Sequence, residues 1–76
     1  MVELVEFLAR RLVDQPDAVR VEREEREDAV VFHLHVAPED VGKVIGRQGR
    51  IARALRTIVR AGGARSNERA HLEIVG

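Results

Sequence analysis

Two glycines, Gly46 and Gly49, enclose a basic and a polar residue, Arg47 and Gln48, in a chain of 76 residues. Glycine permits left-handed backbone angles and, because it has no Cβ, lets a ligand approach the main chain closely. The second glycine stands where a helix is expected to begin, so free N–H groups and the positive end of the helix dipole would face the same place. These residue types at this spacing are suited to holding the phosphates of a nucleic-acid backbone.

The basic residues of the chain are concentrated around this loop. Overall, 13 Lys and Arg balance 13 Asp and Glu, for a formal net charge of +0. Residues 41–67 nevertheless contain seven bases and no acid, which leaves six bases against thirteen acids elsewhere. A phosphate responds to the field within about 8 to 10 Å. The neutral total therefore does not argue against a nucleic-acid partner.

Periodicity of the apolar residues predicts one helix and three strands outside the loop region. Apolar positions at helical spacing predict a helix over residues 2–13. Alternation predicts strands over residues 19–21, 30–36 and 72–74. The charged residues 24–28 are expected to form a solvated turn.

Two further helices are predicted on either side of the glycine loop. Pro38 suits the first turn of a helix over residues 38–45, and a second helix runs from Gly49 to the pair Gly62 and Gly63. One side of that second helix is apolar, and the other carries a stripe of arginines: Arg50, Arg53, Arg56 and Arg60. The order is α-β-β-α-α-β, which predicts an α+β fold in one domain, residues 1–76, with helices packed on one face of a three-stranded sheet.

Residues 44–51, V-I-G-R-Q-G-R-I, resemble the core motif of the KH domain, V-I-G-x-x-G-x-x-I, with every motif position taken as filled and with a basic residue first inside the loop, as is often found there. Residues 41–43 and 52–56 on either side extend the resemblance, which covers essentially the whole chain. It is a resemblance to small bacterial single-KH-domain RNA-binding proteins of the KhpA type. Because the chain begins with a helix and ends with a strand, it is similar to the type II rather than the type I KH fold.

The resemblance implies that about four nucleotides of single-stranded RNA, or of single-stranded DNA, run past the loop. The loop residues would hold the backbone: Gly46, Arg47, Gln48 and Gly49. Apolar groove candidates are Val44, Ile45, Ile51 and Leu55, and the third predicted strand would form the far wall of the groove. Further phosphate contacts are expected from Lys43, Arg50 and Arg53. The resemblance also implies an RNA chaperone or post-transcriptional regulator, tied to cell division and cell shape, that forms a homodimer or a heterodimer with a Jag-type KH protein.

Two other functions remain open at this point. One is a KH-fold scaffold that mainly binds protein and has little RNA binding of its own. Whichever function applies, Val31, Val59 and Val75 are the candidates for a dimer surface. The other is a helix-turn-helix that places Arg50 and Arg53 in a DNA major groove, against which the flanking strands and the close glycine spacing count.

Several classes are disfavoured by composition. The only aromatic residues, Phe7 and Phe32, are expected in the core, so bases would lack the stacking platforms of an RRM or OB-fold. His33, His35 and His71 are expected on the outer faces of strands, with no metal site and no cofactor. The sequence offers no nucleophilic side chain paired with a general base, so we do not expect an enzyme. The sequence has no cysteine, no secretory signal and no long apolar run. We therefore expect a cytoplasmic protein with no membrane partner.

Overall fold

The computed structural model describes residues 1–76 and contains three helices and three strands. The elements are α1 (Val2–Arg10), β1 (Arg20–Arg26), β2 (Ala29–His35), α2 (Val41–Ile45), α3 (Arg50–Arg65) and β3 (Ala70–Val75). Short 3₁₀ turns precede β1, α2 and α3: Pro16–Ala18, Pro38–Asp40 and Arg47–Gly49. This order confirms the predicted α-β-β-α-α-β arrangement. No helix combines the length and the apolar character needed to cross a membrane.

The three strands form one mixed sheet in the order β1-β2-β3. β1 and β2 are antiparallel, with Val21 opposite Leu34, and are joined by a tight turn. β2 and β3 are parallel, with Val30 opposite Ala70. Parallel neighbours cannot be joined by a hairpin, so the chain between them must cross over the sheet, and α2, the glycine loop and α3 form that crossover.

The hydrophobic core lies between one face of this sheet and the helices. Leu34 in the central strand has no exposed surface, and Val5 of α1 and Val59 of α3 are each 1% exposed. Thirteen buried residues drawn from all three helices, all three strands and the segments that join them form a single cluster. The prediction that α1 and α3 pack on the same face of the sheet is confirmed.

The opposite face of the sheet carries a network of acids and histidines. His33 lies between two carboxylates, with Nε2 2.7 Å from Glu24 Oε1 and Nδ1 3.4 Å from Glu73 Oε2. The hydrogen bond with His33, and then the one from Arg26, holds the pKa of the Glu24 carboxyl below its ordinary value. No three His, Asp or Glu side chains are grouped in a way that could hold a metal ion. The histidines instead link β2 to its neighbours.

The charged run 24–28 is mostly strand, so its prediction as a turn was wrong. β1 continues to Arg26, and only Glu27 and Asp28 form the turn. Hydrogen bonds across the sheet help to keep this polar sequence extended: the Glu24 carboxylate is hydrogen-bonded to the His33 ring on β2. α1 also ends at Arg10, three residues before the predicted end, and Arg11 and Leu12 form a turn after it.

Gly62 and Gly63 do not end α3, contrary to the prediction. The helix continues to Arg65, and Gly63 is buried against the start of β3. A Cβ on Gly63 would lie 2.6 Å from Ala70 Cβ and 2.9 Å from the carbonyl oxygen of Glu68. The glycine therefore serves close packing of α3 on β3 rather than helix termination.

Three apolar residues lie on the side opposite to the one predicted. Phe7 is 55% exposed rather than in the core, with the Arg11 guanidinium 5.6 Å from its ring centroid. Val31 and Val59, proposed as surface residues, are 2% and 1% exposed. Val31 is in the central strand, where side chains of both neighbours cover it, and Val59 follows Leu55 by four residues on the core side of α3. Phe32 is in the core as predicted.

We expect Gly63→Ala to lower the free energy of unfolding by about 1 to 3 kcal/mol, because backbone must shift to admit the methyl group. Gly62→Ala is the matched control, since its Cβ would meet only the flexible end of the Met1 side chain. Alanine also favours helix over glycine by about 1 kcal/mol, so this control should be neutral or stabilising. Urea unfolding of both variants tests the prediction, and equal destabilisation would contradict it.

Candidate nucleic-acid interface

The glycine loop lies between α2 and α3, and three of its four residues have left-handed backbone angles. The φ values are +76° at Gly46, +57° at Gln48 and +74° at Gly49. The N–H of Gly46 donates to the carbonyl of Gly42, and the N–H of Gly49 donates to that of Gly46. α2 therefore stops at the first glycine and α3 begins after the second, as the sequence predicted.

The two glycines have different surroundings. A Cβ on Gly46 would lie 2.6 Å from Ile51 Cγ1, so this glycine is required by packing inside the loop as well as by its φ angle. A Cβ on Gly49 would meet no atom within 4 Å. The main chain at Gly49 is therefore open to a ligand, and it is also the residue that precedes the first turn of α3.

The start of α3 presents a positive field with no side chain capping it. Gly49 is the N-cap, and the first turn has no acidic residue. Arg47 and Gln48 are exposed beside it. Arg50 donates a long hydrogen bond, 3.4 Å, to Gln48 Oε1, which leaves the amide nitrogen of Gln48 available as a donor. The N–H groups, the dipole and these side chains all favour an anion at the same place.

The basic side chains predicted to bind phosphate differ in whether an acidic residue lies near them. Arg47, Arg50 and Arg53 are exposed, and none is among the ion pairs of the molecule. Lys43 differs, because its Nζ lies 3.3 Å from Asp14 Oδ2 and 3.8 Å from Asp40 Oδ1. Its charge is offset locally, so Lys43 is a weaker candidate than the sequence indicated.

Two of the four predicted groove residues are part of the core. Val44 has no exposed surface and Leu55 is 4% exposed, so neither can contact a base. Both helices must bury one side against the sheet, and these residues are on that side. Ile45 is 38% exposed and Ile51 is half-buried, which leaves these two as apolar groove candidates.

The KH pattern also has an isoleucine three residues after the second glycine. This chain has Ala52 there, and Ala52 is buried against the core. The nearby Ile51 is one position too early to match the pattern, and it packs against Gly46 instead. The loop and the residues before it therefore match the motif more closely than the residues that follow it.

A cleft between α3 and β3 continues the basic surface away from the loop. Arg56 and Arg60 of α3 line it together with Ala70, His71 and Leu72 of β3. β3 is the edge strand of the sheet, so one side of its backbone has no partner strand.

The hydrogen bonds to β2 identify which backbone groups of β3 face this open edge. The N–H of Val30 donates to the carbonyl of Arg69, and the N–H of Val36 donates to that of Val75. In a parallel ladder alternate residues pair with the same neighbour, so Ala70, Leu72 and Ile74 direct their backbone N–H and C=O groups toward the open edge. The sequence predicted this strand as the far wall of the groove, but it did not predict these groups, because backbone donors and acceptors have no residue signature.

Comparison with known proteins finds a matching family model and similar proteins. Residues 2–74 match the family model described as KhpA/KhpB, KH domain. A protein of Aquifex aeolicus is 53% identical over 73 residues, which is 96% of this chain and 92% of the relative. A protein of Clostridium perfringens is 48% identical over 75 residues, which is 99% of this chain and 100% of the relative. Both relatives are named RNA-binding protein KhpA. With its loop, fold and full-length similarity in agreement, this chain belongs to the KhpA/KhpB family of KH domains.

Proposed function

We propose that this chain acts as one KH domain, residues 1–76, and binds single-stranded RNA, gripping about four nucleotides through the loop 46–49. The observation that carries the proposal is the main chain at Gly49, which is open to a ligand and stands at the uncapped start of α3. The name RNA-binding protein, which the relatives bear, supports the same conclusion.

In this proposal the loop holds the backbone and does not read the sequence. A phosphate lies against the main chain at Gly49, where the first turn of α3 supplies N–H groups. Arg47 neutralises the charge of that phosphate, and the amide nitrogen of Gln48 donates a hydrogen bond to it. Arg50 and Arg53 contact the next phosphate along the strand. These interactions are the same for every base, so they contribute affinity rather than specificity.

The bases lie toward the cleft between α3 and β3. Ile45 and Ile51 offer apolar contact, and the backbone groups of Ala70, Leu72 and Ile74 at the open edge offer donors and acceptors to base edges. Unstacked bases present their pairing edges to such groups only in single strands. A duplex would keep those edges occupied, so the arrangement favours single-stranded RNA, or single-stranded DNA, over a double helix.

A single site for about four nucleotides binds weakly, so a second site on a partner would raise the affinity by avidity. We propose a homodimer, or a heterodimer with a Jag-type KH protein, that acts in the cytoplasm as an RNA chaperone or post-transcriptional regulator with a role in cell shape. The chain functions in this proposal as a binding protein and not as an enzyme.

A protein-interaction scaffold is the second candidate function. The exposed apolar residues of α1, Leu4 at 46% and Phe7 at 55%, support it, because large apolar side chains on a surface often mark a protein contact. The two functions predict different consequences for changes in the glycine loop. Loss of RNA binding after such changes favours the first, and absence of RNA binding by the unaltered protein favours the second.

Replacing Arg47 and Gln48 together by Asp is expected to lower affinity for single-stranded RNA about 100-fold or more, since two charge-assisted contacts are lost and repulsion replaces them. Fluorescence anisotropy with a labelled mixed-sequence RNA, repeated over a range of salt concentrations, measures the change. For the unaltered protein, log K should fall by about 0.7 per phosphate contact against log salt.

Arg65→Asp with Ser66→Asp is the control for this experiment, because it makes the same change in charge at the other end of α3, on exposed residues. Circular dichroism checks that both double variants are folded. If the loop variant binds RNA as tightly as the control, the loop is not the RNA site.

Gly49→Ala separates backbone strain from ligand access. A left-handed alanine costs about 1 to 2 kcal/mol of stability. The new methyl group enters open space, where the proposal places the phosphate. We therefore expect a folded protein with a modestly lower unfolding midpoint and a loss of RNA affinity of about tenfold or more, measured by urea unfolding and by anisotropy. If the variant binds RNA as tightly as the unaltered protein, the phosphate does not lie against the main chain at Gly49.

A further inference from the structure

Asp40 is the one charged residue of the chain that is buried, and the proposed function gives it no role. Its side chain is 1% exposed, on the segment that leads into α2. A buried carboxylate is costly unless hydrogen bonds or a nearby cation compensate for the lost water. Asp40 has both, because Oδ2 accepts a hydrogen bond of 3.0 Å from the backbone N–H of Gln15 and Oδ1 lies 3.8 Å from Lys43 Nζ.

Asp40 belongs to a cluster of five residues that connects the segment before β1 with the segment that leads into α2. Lys43 Nζ lies 3.3 Å from Asp14 Oδ2, and Gln15 Nε2 donates a hydrogen bond of 2.8 Å to Glu39 Oε2. The hydrogen bond from Gln15 is the main reason that the pKa of the Glu39 carboxyl lies below its ordinary value. These five residues form the α2 clamp, which ties α2 to the connection between α1 and β1.

α2 needs such an attachment because little else holds it. It has only five residues, and an isolated helix of that length is not stable in water. Val44 is its one buried residue, and Val41 packs against the core in part. A single buried side chain fixes the depth of a helix on the core but leaves the helix free to turn about that contact. The α2 clamp supplies a second point of attachment.

The position of α2 sets the position of the glycine loop. The N–H of Gly46 donates a hydrogen bond of 2.9 Å to the carbonyl of Gly42, so the first glycine moves with α2. On the other side, the side chain of Ile51 in α3 lies against Gly46. The loop is thus held between α3, which packs on the sheet, and α2, whose orientation depends on the α2 clamp.

We propose that Asp40, supported by the rest of the α2 clamp, is a positioning residue for RNA binding, which keeps the loop in its binding geometry before RNA arrives. A loop that is ordered in advance loses less conformational freedom on binding and therefore binds more tightly. This inference rests on the proposed function and deepens it, since it assigns a residue that acts on RNA only through the loop. It also gives Lys43 to the α2 clamp rather than to a phosphate.

The sign of the change in RNA affinity distinguishes positioning from a direct effect of charge. Removing an acid near the loop would by charge alone raise the affinity for a polyanion. Asp40→Ala should instead lower it, by about fivefold if the loop keeps its binding geometry about one fifth of the time. The slope of log K against log salt should not change, because no phosphate contact is lost. Fluorescence anisotropy with the labelled mixed-sequence RNA measures both quantities.

Two further variants separate positioning from the loss of a charge. Asp40→Asn keeps an oxygen that can accept the hydrogen bond from Gln15, so it should bind RNA within about twofold of the unaltered protein. Asp17→Ala is the matched control, because Asp17 is exposed, lies in the 3₁₀ turn Pro16–Ala18 and takes part in no ion pair. It removes the same charge and should not lower RNA affinity.

Relaxation-dispersion NMR reports the loss of positioning in the absence of RNA. Reorientation of a short helix falls in the microsecond to millisecond range that this method detects. In Asp40→Ala the amides of Gly46 and Gly49 should show exchange that the unaltered protein lacks. The amide of Val30, which donates to the carbonyl of Arg69 within the sheet, should show none in either protein. Exchange at all three amides would indicate general loosening and would contradict a positioning role.

An exchange of charges tests the α2 clamp at two residues that are partly or largely exposed, Lys43 at 44% and Asp14 at 77%. Lys43→Asp should lower RNA affinity, because it places another acid beside Asp14 and Asp40. Adding Asp14→Lys recreates an ion pair and should recover most of the affinity. Adding Asp17→Lys gives the same net charge without that contact and should recover less. This comparison decides the matter if circular dichroism shows that Asp40→Ala is unfolded.

The inference is overturned if folded Asp40→Ala binds RNA as tightly as the unaltered protein or more tightly, or if Asp14→Lys and Asp17→Lys recover affinity equally. In either case, loss of RNA binding by the variant with Asp at positions of Arg47 and Gln48 would leave the proposed function standing. Failure of the unaltered protein to bind RNA would overturn both.

Discussion

The parallel pairing of β2 with β3 is the constraint on which the rest of the structure depends. Parallel strands require a crossover, so the chain must leave the sheet after β2, traverse its face and return beside it. α2 and α3 are the two halves of that crossover, and the glycine loop is the point where its direction changes. Packing of α3 on the sheet, through Val59 and through the contact of Gly63 with Ala70, holds the crossover in place. The loop is therefore rigidly positioned although it is itself exposed.

The same crossover places the exposed arginines of α3 beside an open strand edge. Because β3 enters the sheet at its edge, its outward backbone groups remain unpaired next to the arginine side of α3. In the proposed binding mode, a strand of RNA at this place would meet three kinds of partner: main-chain N–H groups at the loop, guanidinium groups along the helix, and backbone donors and acceptors on the strand. The first two act on phosphates, and only the third distinguishes bases. Such a site is suited to broad RNA recognition.

Charge is distributed in this molecule by ion pairing as well as by sequence position. Charged residues of β1 are paired with acids or bases nearby, as Glu24 is with Arg26 and Arg23 is with Glu68. The arginines of α3 have no such partners and are exposed. A protein with no net charge can thus present a strongly positive strip, because exposed charges are screened beyond about 8 to 10 Å and a ligand senses only those nearby.

The order of elements and the glycine loop between two helices could be predicted from the sequence, because periodicity and glycine act over a few neighbouring residues. The tertiary structure alone decided which apolar residues are buried: Val44 and Leu55 lie in the core and not in a groove, whereas Phe7 lies outside. It also decided that α3 continues through Gly63, that Glu68 forms an ion pair with Arg23, and that β3 is an edge strand. Each of these depends on contacts between residues distant in the chain, where packing overrides local preference.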